Sequence, residues 1–183
     1  EFLPYNVGCR RPDGSCTHTQ HGAAMTGAFF YQSSFATYAL THVRNVVKVA
    51  DDLPLEILAP LGCGIQTGAG AVFNCLRPQA GSSIAIFGAG TIGLLALQAS
   101  RLAGATTTVV IDRDPHRLEV AKRLGATAVV NAGTDDGTTD ALGRLSLDLT
   151  DGEGFDGALD CVGVGATRAG AVRMVAPGGT AVW

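Results

Sequence analysis

Several residues in this chain have types and spacings that could do chemistry. Gly88-Ala89-Gly90-Thr91-Ile92-Gly93 is a GxGxxG turn. Glycine in its first position allows a tight turn, in its second a close approach of main chain to a pyrophosphate, and in its third a helix packed on a strand. The amides that open the helix would then face the phosphates. Asp112 follows about 20 residues after Gly93, where a strand-end carboxylate can accept hydrogen bonds from an adenosine ribose. Glycine turns are common and strand-end acids are usually just solvated, so neither signal is strong alone. Together they make a dinucleotide-binding pattern. Asp112 would repel a 2′-phosphate, which favours NAD, while Arg113 beside it keeps NADP open.

The five cysteines, Cys9, Cys16, Cys63, Cys75 and Cys161, form no CxxC pair. An odd, scattered set without a secretory signature reads as intracellular thiols, each by spacing alone a small buried hydrophobe. His18, His21 and His42 lie in or near a polar, turn-rich stretch and read as solvated side chains.

These residues need elements to position them, and the pattern downstream of residue 62 supplies them. Ser83–Phe87 reads as a buried strand, followed by a helix whose apolar residues run from Ile92 to Leu102 and which stops at Gly104. Thr107–Ile111 is a second strand. Asp114 caps the next helix, Pro115 suits its first turn, and Leu118, Ala121 and Leu124 form its inner stripe. A third strand is expected over Ala126–Val130, a helix around Leu142, Leu145 and Leu149, a fourth strand over Gly157–Cys161, a helix over Ala166–Val175 and the start of a fifth strand over Thr180–Trp183. Apolar β-branched runs alternating with helices predict an α/β fold, a parallel sheet covered on both faces. Upstream, RRPDGSCTHTQHG is turn-rich and SSFATYALTHVRNVVKVA is strand-like, so residues 1–62 are expected to be β and loop.

Bulk properties narrow the partners. With 46% hydrophobic and 16% charged residues the chain is expected to be a globular protein, not a disordered one. A net charge of −3 provides no basic field for nucleic acid, and no apolar run approaches the roughly 18 residues that span a bilayer. The expected partner is a small molecule and the expected location cytoplasmic. The start at Glu1 carries no basic or apolar leader pattern and reads as that of a truncated or processed product.

LGCGIQTGAGA, GSSIAIFGAGTIG and IDRDPHRLEVAKRLGA resemble the stretch of zinc-dependent medium-chain alcohol dehydrogenases that joins the catalytic domain to the Rossmann domain. RRPDGS, FFYQSSFATYAL, ALDCVG and APGGTAVW are similar to the aryl-alcohol (benzyl alcohol) dehydrogenase branch. The resemblance implies that residues 1–62 are the C-terminal part of a GroES-like catalytic domain. It implies that residues 63–183 are an NAD-binding Rossmann domain, a doubly wound sheet lacking its last strand. Cys63 then matches a catalytic-zinc thiolate, Thr67 a residue under the nicotinamide, and Thr91 and Ile92 the amides at the pyrophosphate. Arg117 matches a basic residue over the adenosine ribose, Val162 and Gly163 a loop beside the coenzyme, and Phe29 and Phe30 the substrate pocket.

The implied activity is oxidation of a primary, aromatic alcohol to the aldehyde. Zinc polarises the alcohol oxygen, hydride passes to NAD, and the full-length protein is a homo-oligomer. The sequence departs from the family where the other cysteine and histidine ligands of that zinc, its proton relay and its structural-zinc lobe would stand. The chain alone is therefore expected to be inactive. A zinc-free medium-chain reductase and a non-catalytic, truncated coenzyme-binding paralogue stay open as alternatives.

Overall fold

The computed structural model describes residues 9–11, 13–16, 18–27, 37–38, 41, 43–134 and 138–183. The chain divides into two compact units, Glu1–Leu53 and Pro54–Trp183.

In the first unit, β1 (His18–Gln20) and β2 (Ala23–Met25) pair antiparallel, with Thr19 opposite Ala24. His21 and Gly22 join them, both at positive φ (51° and 78°), the conformation that a two-residue hairpin turn requires. His18 and His21 are exposed, as read from their polar surroundings. The strand expected downstream is not found in the described part of that stretch. Val43–Asn45 is a 3-10 turn and residues 46–50 carry no regular element. Strand preference is a preference for a half-buried, paired surface. Here Val43 and Val47 are 80% and 83% exposed, so their alternation has no face to cover.

The second unit opens with α1 (Leu55–Leu58), a 3-10 turn (Ala59–Gly62) and α2 (Gly64–Gly70), which continues as a π-helical turn over Ala71–Leu76. The expectation of β and loop up to residue 62 is thereby corrected to helix over Leu55–Gly62. Then β3 (Ser83–Phe87), α3 (Thr91–Leu102), β4 (Thr107–Asp112), α4 (Pro115–Arg123), β5 (Ala128–Asn131), α5 (Thr139–Leu149), β6 (Phe155–Asp160), α6 (Gly165–Met174) and β7 (Val175–Val182) alternate along the chain. The strands are parallel and ordered β5-β4-β3-β6-β7. From β3 the chain winds outward to β5, then crosses to β6 on the other side, so winding reverses between β3 and β6.

Period-two alternation sends successive residues to opposite faces. Ile84, Ile86, Val110 and Leu159 pack with Ala96 and Leu97 of α3 and Leu118 and Ala121 of α4. Ala85, Phe87, Val109 and Ala158 pack with Leu142 of α5 and with Ala171 and Met174 of α6. Asp114 and Thr138 cap α4 and α5 by accepting from the His116 and Ala141 amides. The fifth strand of this sheet begins earlier than expected, at Val175 in place of Thr180. Phe155 pairs with Val175 but Gly157 with Thr180, so Ala176–Gly179 bulges out of the ladder. Pro177, which has no amide hydrogen to donate, sits in that bulge. No single helix among the described residues is long and apolar enough to cross a membrane.

Candidate functional site

Parallel strands bring their C-terminal ends to one edge, and a reversal in winding opens a crevice there. The glycine turn is built at that edge. Gly88 N donates to Ile111 O (2.7 Å) and Cys161 N donates to Phe87 O (2.9 Å), so both ladders extend one step beyond β3. Gly88 then takes φ +95°, and a Cβ there would lie 2.9 Å from Val162 Cγ2. Gly93, in the first turn of α3, lies against the Gly88 carbonyl oxygen, which a Cβ would overlap. These two glycines are explained by the chain itself.

Gly90 is not. Its φ of −79° and ψ of −172° suit any residue, and a Cβ there would meet no atom within 4 Å. It precedes α3 without a side-chain cap, in contrast to the capped α4 and α5. The amides of Thr91 and Ile92 thus open a helix whose N-terminal donors and dipole suit an anion.

Asp112 ends β4 beside this turn. Its Oδ2 accepts from Ala89 N (2.6 Å) and its Oδ1 from Asp114 N (2.8 Å), so one carboxylate ties the loops after β3 and β4 together. Burial pushes its pKa up, but the amides of Ala89, Asp114 and Arg113 and the charge of Arg117 outweigh burial and hold it below the ordinary aspartate value. A carboxylate has about four lone-pair sites, so capacity for ribose hydroxyls remains. Arg113 is exposed, and Arg117 Nε lies 3.6 Å from Asp114 Oδ2.

Across β3, Val162 and Gly163 follow the end of β6. Asp160 Oδ1 accepts from both of their amides, at 3.0 and 3.1 Å. Burial, and then the charge of Asp160, pushes the Cys161 thiol up to about 11, so it stays protonated near neutral pH.

Cys63 stands at the start of α2, its carbonyl accepting from Thr67 N (2.8 Å). A Cβ on Gly64 would lie 3.0 Å from Thr91 Cγ2, and one on Gly68 would lie 2.5 Å from Ile92 O. The helix that carries Cys63 and Thr67 is therefore packed onto the first turn of α3. The reading of every cysteine as a buried filler is corrected here: Cys63 and Cys75 are exposed, and Cys9, Cys16 and Cys161 are partly buried. Cys63 sits at a helix start and Cys75 on the outward side of a half-covered turn, where little packs over them. Among the described residues no group of three or more His, Cys, Asp or Glu could hold a metal. Cys63 brings one donor, and on its own that set does not fit a catalytic zinc, which takes three protein ligands and an open position. Phe29 and Phe30 lie outside the described residues.

Sequence reasoning missed Gly64, Gly68, Asp160 and Arg168. The first two were signalled by the small residues of GIQTGAGA, which read as helix once Cys63 is seen as its start. Asp160 was signalled by its place, ending β6 as Asp112 ends β4.

A glycine turn at the winding reversal of a doubly wound parallel sheet defines the Rossmann class of fold. The zinc-binding dehydrogenase family matches residues 91–183, and the chain belongs to that family. It is 41% identical over 181 residues to a geraniol dehydrogenase of Castellaniella defragrans, covering 98% of this chain and 47% of that protein. The crystal structure of benzyl alcohol dehydrogenase from Acinetobacter calcoaceticus matches with a TM-score of 0.83 at 41% identity, over 100% of this chain and 48% of that one. An alcohol dehydrogenase zinc-binding domain protein from Burkholderia ambifaria matches with a TM-score of 0.85 at 43% identity, over 99% of this chain and 48% of that one. The chain spans about half the length of the curated relatives it matches first.

Proposed function

We propose that this chain is part of an NAD-linked alcohol dehydrogenase that oxidises a primary, aromatic alcohol to its aldehyde. The observation that carries the coenzyme reading is Gly90, a glycine that neither backbone conformation nor packing demands, at the uncapped start of α3. Close approach of a pyrophosphate to the main chain would account for it. Gly88, Gly90, Thr91, Ile92 and Gly93 would hold the pyrophosphate, Asp112 with Arg113 and Arg117 the adenosine ribose, and Thr67, Val162 and Gly163 the nicotinamide end. Bound NAD supplies the hydride acceptor. The similarity to proteins named for geraniol and benzyl alcohol supports a primary alcohol, and the second supports an aromatic one.

The test is Gly90→Ala. NADH affinity should fall at least about tenfold, with unfolding free energy unchanged within about 0.5 kcal/mol, because the methyl group meets only what binds there. Unaltered NADH affinity in that variant would remove the argument.

Zinc belongs to the same proposal for the full-length protein, with Cys63 as one thiolate. Residues 1–62 are proposed as the tail of a GroES-like catalytic domain and residues 63–183 as the coenzyme domain, in a cytoplasmic homo-oligomer acting on a small molecule. A zinc-free reductase, which would share the glycine turn but has no need of a thiolate at Cys63, is the second reading; metal analysis of the full-length protein separates the two.

A further inference from the structure

We infer that Asp160 and Arg168 are positioning residues that fix the loop after β6 against the glycine turn and thereby set affinity for the nicotinamide half of a dinucleotide. The inference rests on the coenzyme reading above. Cys161 is the last residue of the loop held by the sheet, through its amide on Phe87 O. Beyond it, burial does not hold the chain: Val162 and Val164 are each 51% exposed. The ties that do hold it are polar. Asp160 Oδ1 gathers the Val162 and Gly163 amides, and Arg168 Nη2 donates to Gly163 O at 2.9 Å.

The carboxylate and the guanidinium also hold each other. The Asp160 side chain has no exposed surface, and its Oδ2 has no hydrogen-bond partner. Arg168 Nε, on a side chain 53% exposed, lies 3.9 Å from that oxygen. A carboxylate buried this completely is weak evidence for stability, since its desolvation offsets much of the attraction it gains. It does bias direction, because Arg168 donates to the Gly163 carbonyl while its Nε stays within ion-pair distance of Oδ2. Val162 is thereby placed where a Cβ on Gly88 would touch it, so the pair sets the separation of the two loops that border the crevice. Asp112 places the adenosine half over β4; β6 lies on the opposite side of β3, so the half that this loop meets is the nicotinamide half.

The experiment titrates NADH and 5′-AMP separately into the full chain and its Arg168→Ala, Arg168→Lys and Asp160→Asn variants. Arg168 is half-exposed, so its variants keep the fold even if Asp160→Asn does not. Arg168→Ala is expected to weaken NADH about tenfold, the worth of one charge-assisted hydrogen bond, and to leave 5′-AMP within about twofold. Arg168→Lys, which keeps the charge, should recover part of the loss. Equal loss of NADH and 5′-AMP would show a general structural role and overturn the inference, as would unchanged NADH affinity. An unmodified chain that binds neither ligand would overturn the coenzyme reading itself.

Discussion

Asp112 carries two duties that substitution cannot separate cleanly. As a charge it would, under the proposed coenzyme reading, disfavour a 2′-phosphate, and as an acceptor it holds the Ala89 and Asp114 amides. Asp112→Gly should therefore narrow the preference for NAD over NADP and also weaken both coenzymes, because the glycine turn loses its tie to β4. Titration of both coenzymes checks this; equal affinities in the unmodified protein would sink the NAD assignment. The same carboxylate has a pH signature. Its pKa is depressed in the folded state, so its contribution is full above the unfolded value, near 3.8, and is lost as pH falls through the folded value. Urea unfolding between neutral and acid pH should show a shallower acid-side loss of stability in Asp112→Asn than in the unmodified chain. Cys63→Ser, in the full-length protein, should remove one equivalent of zinc and most activity while circular dichroism stays unchanged; full zinc content would return Cys63 to a plain exposed thiol. The place of Asp112, ending β4 beside the glycine turn, was legible in the sequence because its offset from Gly93 follows from strand and helix lengths. Its amide partners were not, because Ala89 and Asp112 become neighbours only when β3 and β4 pair.

The elements around the crevice differ in how tightly they are fitted, and alanine substitutions at their glycines should reveal it. Gly93→Ala drives a methyl group into the Gly88 carbonyl, and Gly68→Ala drives one against Ile92 O. Neither neighbour is a flexible side-chain tip, so each substitution should cost about 1–3 kcal/mol of stability by denaturant unfolding. Little change at Gly93 would mean that α3 is not seated on β3 as described. The core from β3 to β6 was readable because each buried strand is a short apolar run and each helix repeats at 3.6 residues. Two segments defeated that reading for opposite reasons. Residues 43–50 alternate like a strand but have no covered face among the described residues. Ala176–Gly179, by contrast, contains Pro177 and two glycines that look like a turn, and the ladder simply bulges around them.

At the scale of the molecule, each of the two units leaves apolar side chains exposed among the described residues. Val43, Val47, Leu55 and Ile57 are 80%, 83%, 76% and 61% exposed, and β7 ends the sheet with one side of its backbone unpaired among the described strands. Scattered exposed apolar residues are ordinary, but the open edge of β7 invites association. Among the described residues no group of three or more His, Cys, Asp or Glu could hold a metal, and the Cys63 thiolate alone cannot hold one at the affinity of a completed site. Expressed alone, the chain should therefore bind NADH, carry far less than one zinc, show no oxidation of benzyl alcohol with NAD, and elute from size-exclusion chromatography at masses that rise with concentration. The binding and catalytic readouts are expected to part company because the glycine turn, Asp112 and the loop after β6 lie within one compact unit, whereas a zinc site needs donors that the described residues do not gather around Cys63. A monodisperse, zinc-loaded fragment that turns over alcohol would show that the described half of the site is sufficient, and would overturn the assignment of Cys63 as one ligand among several.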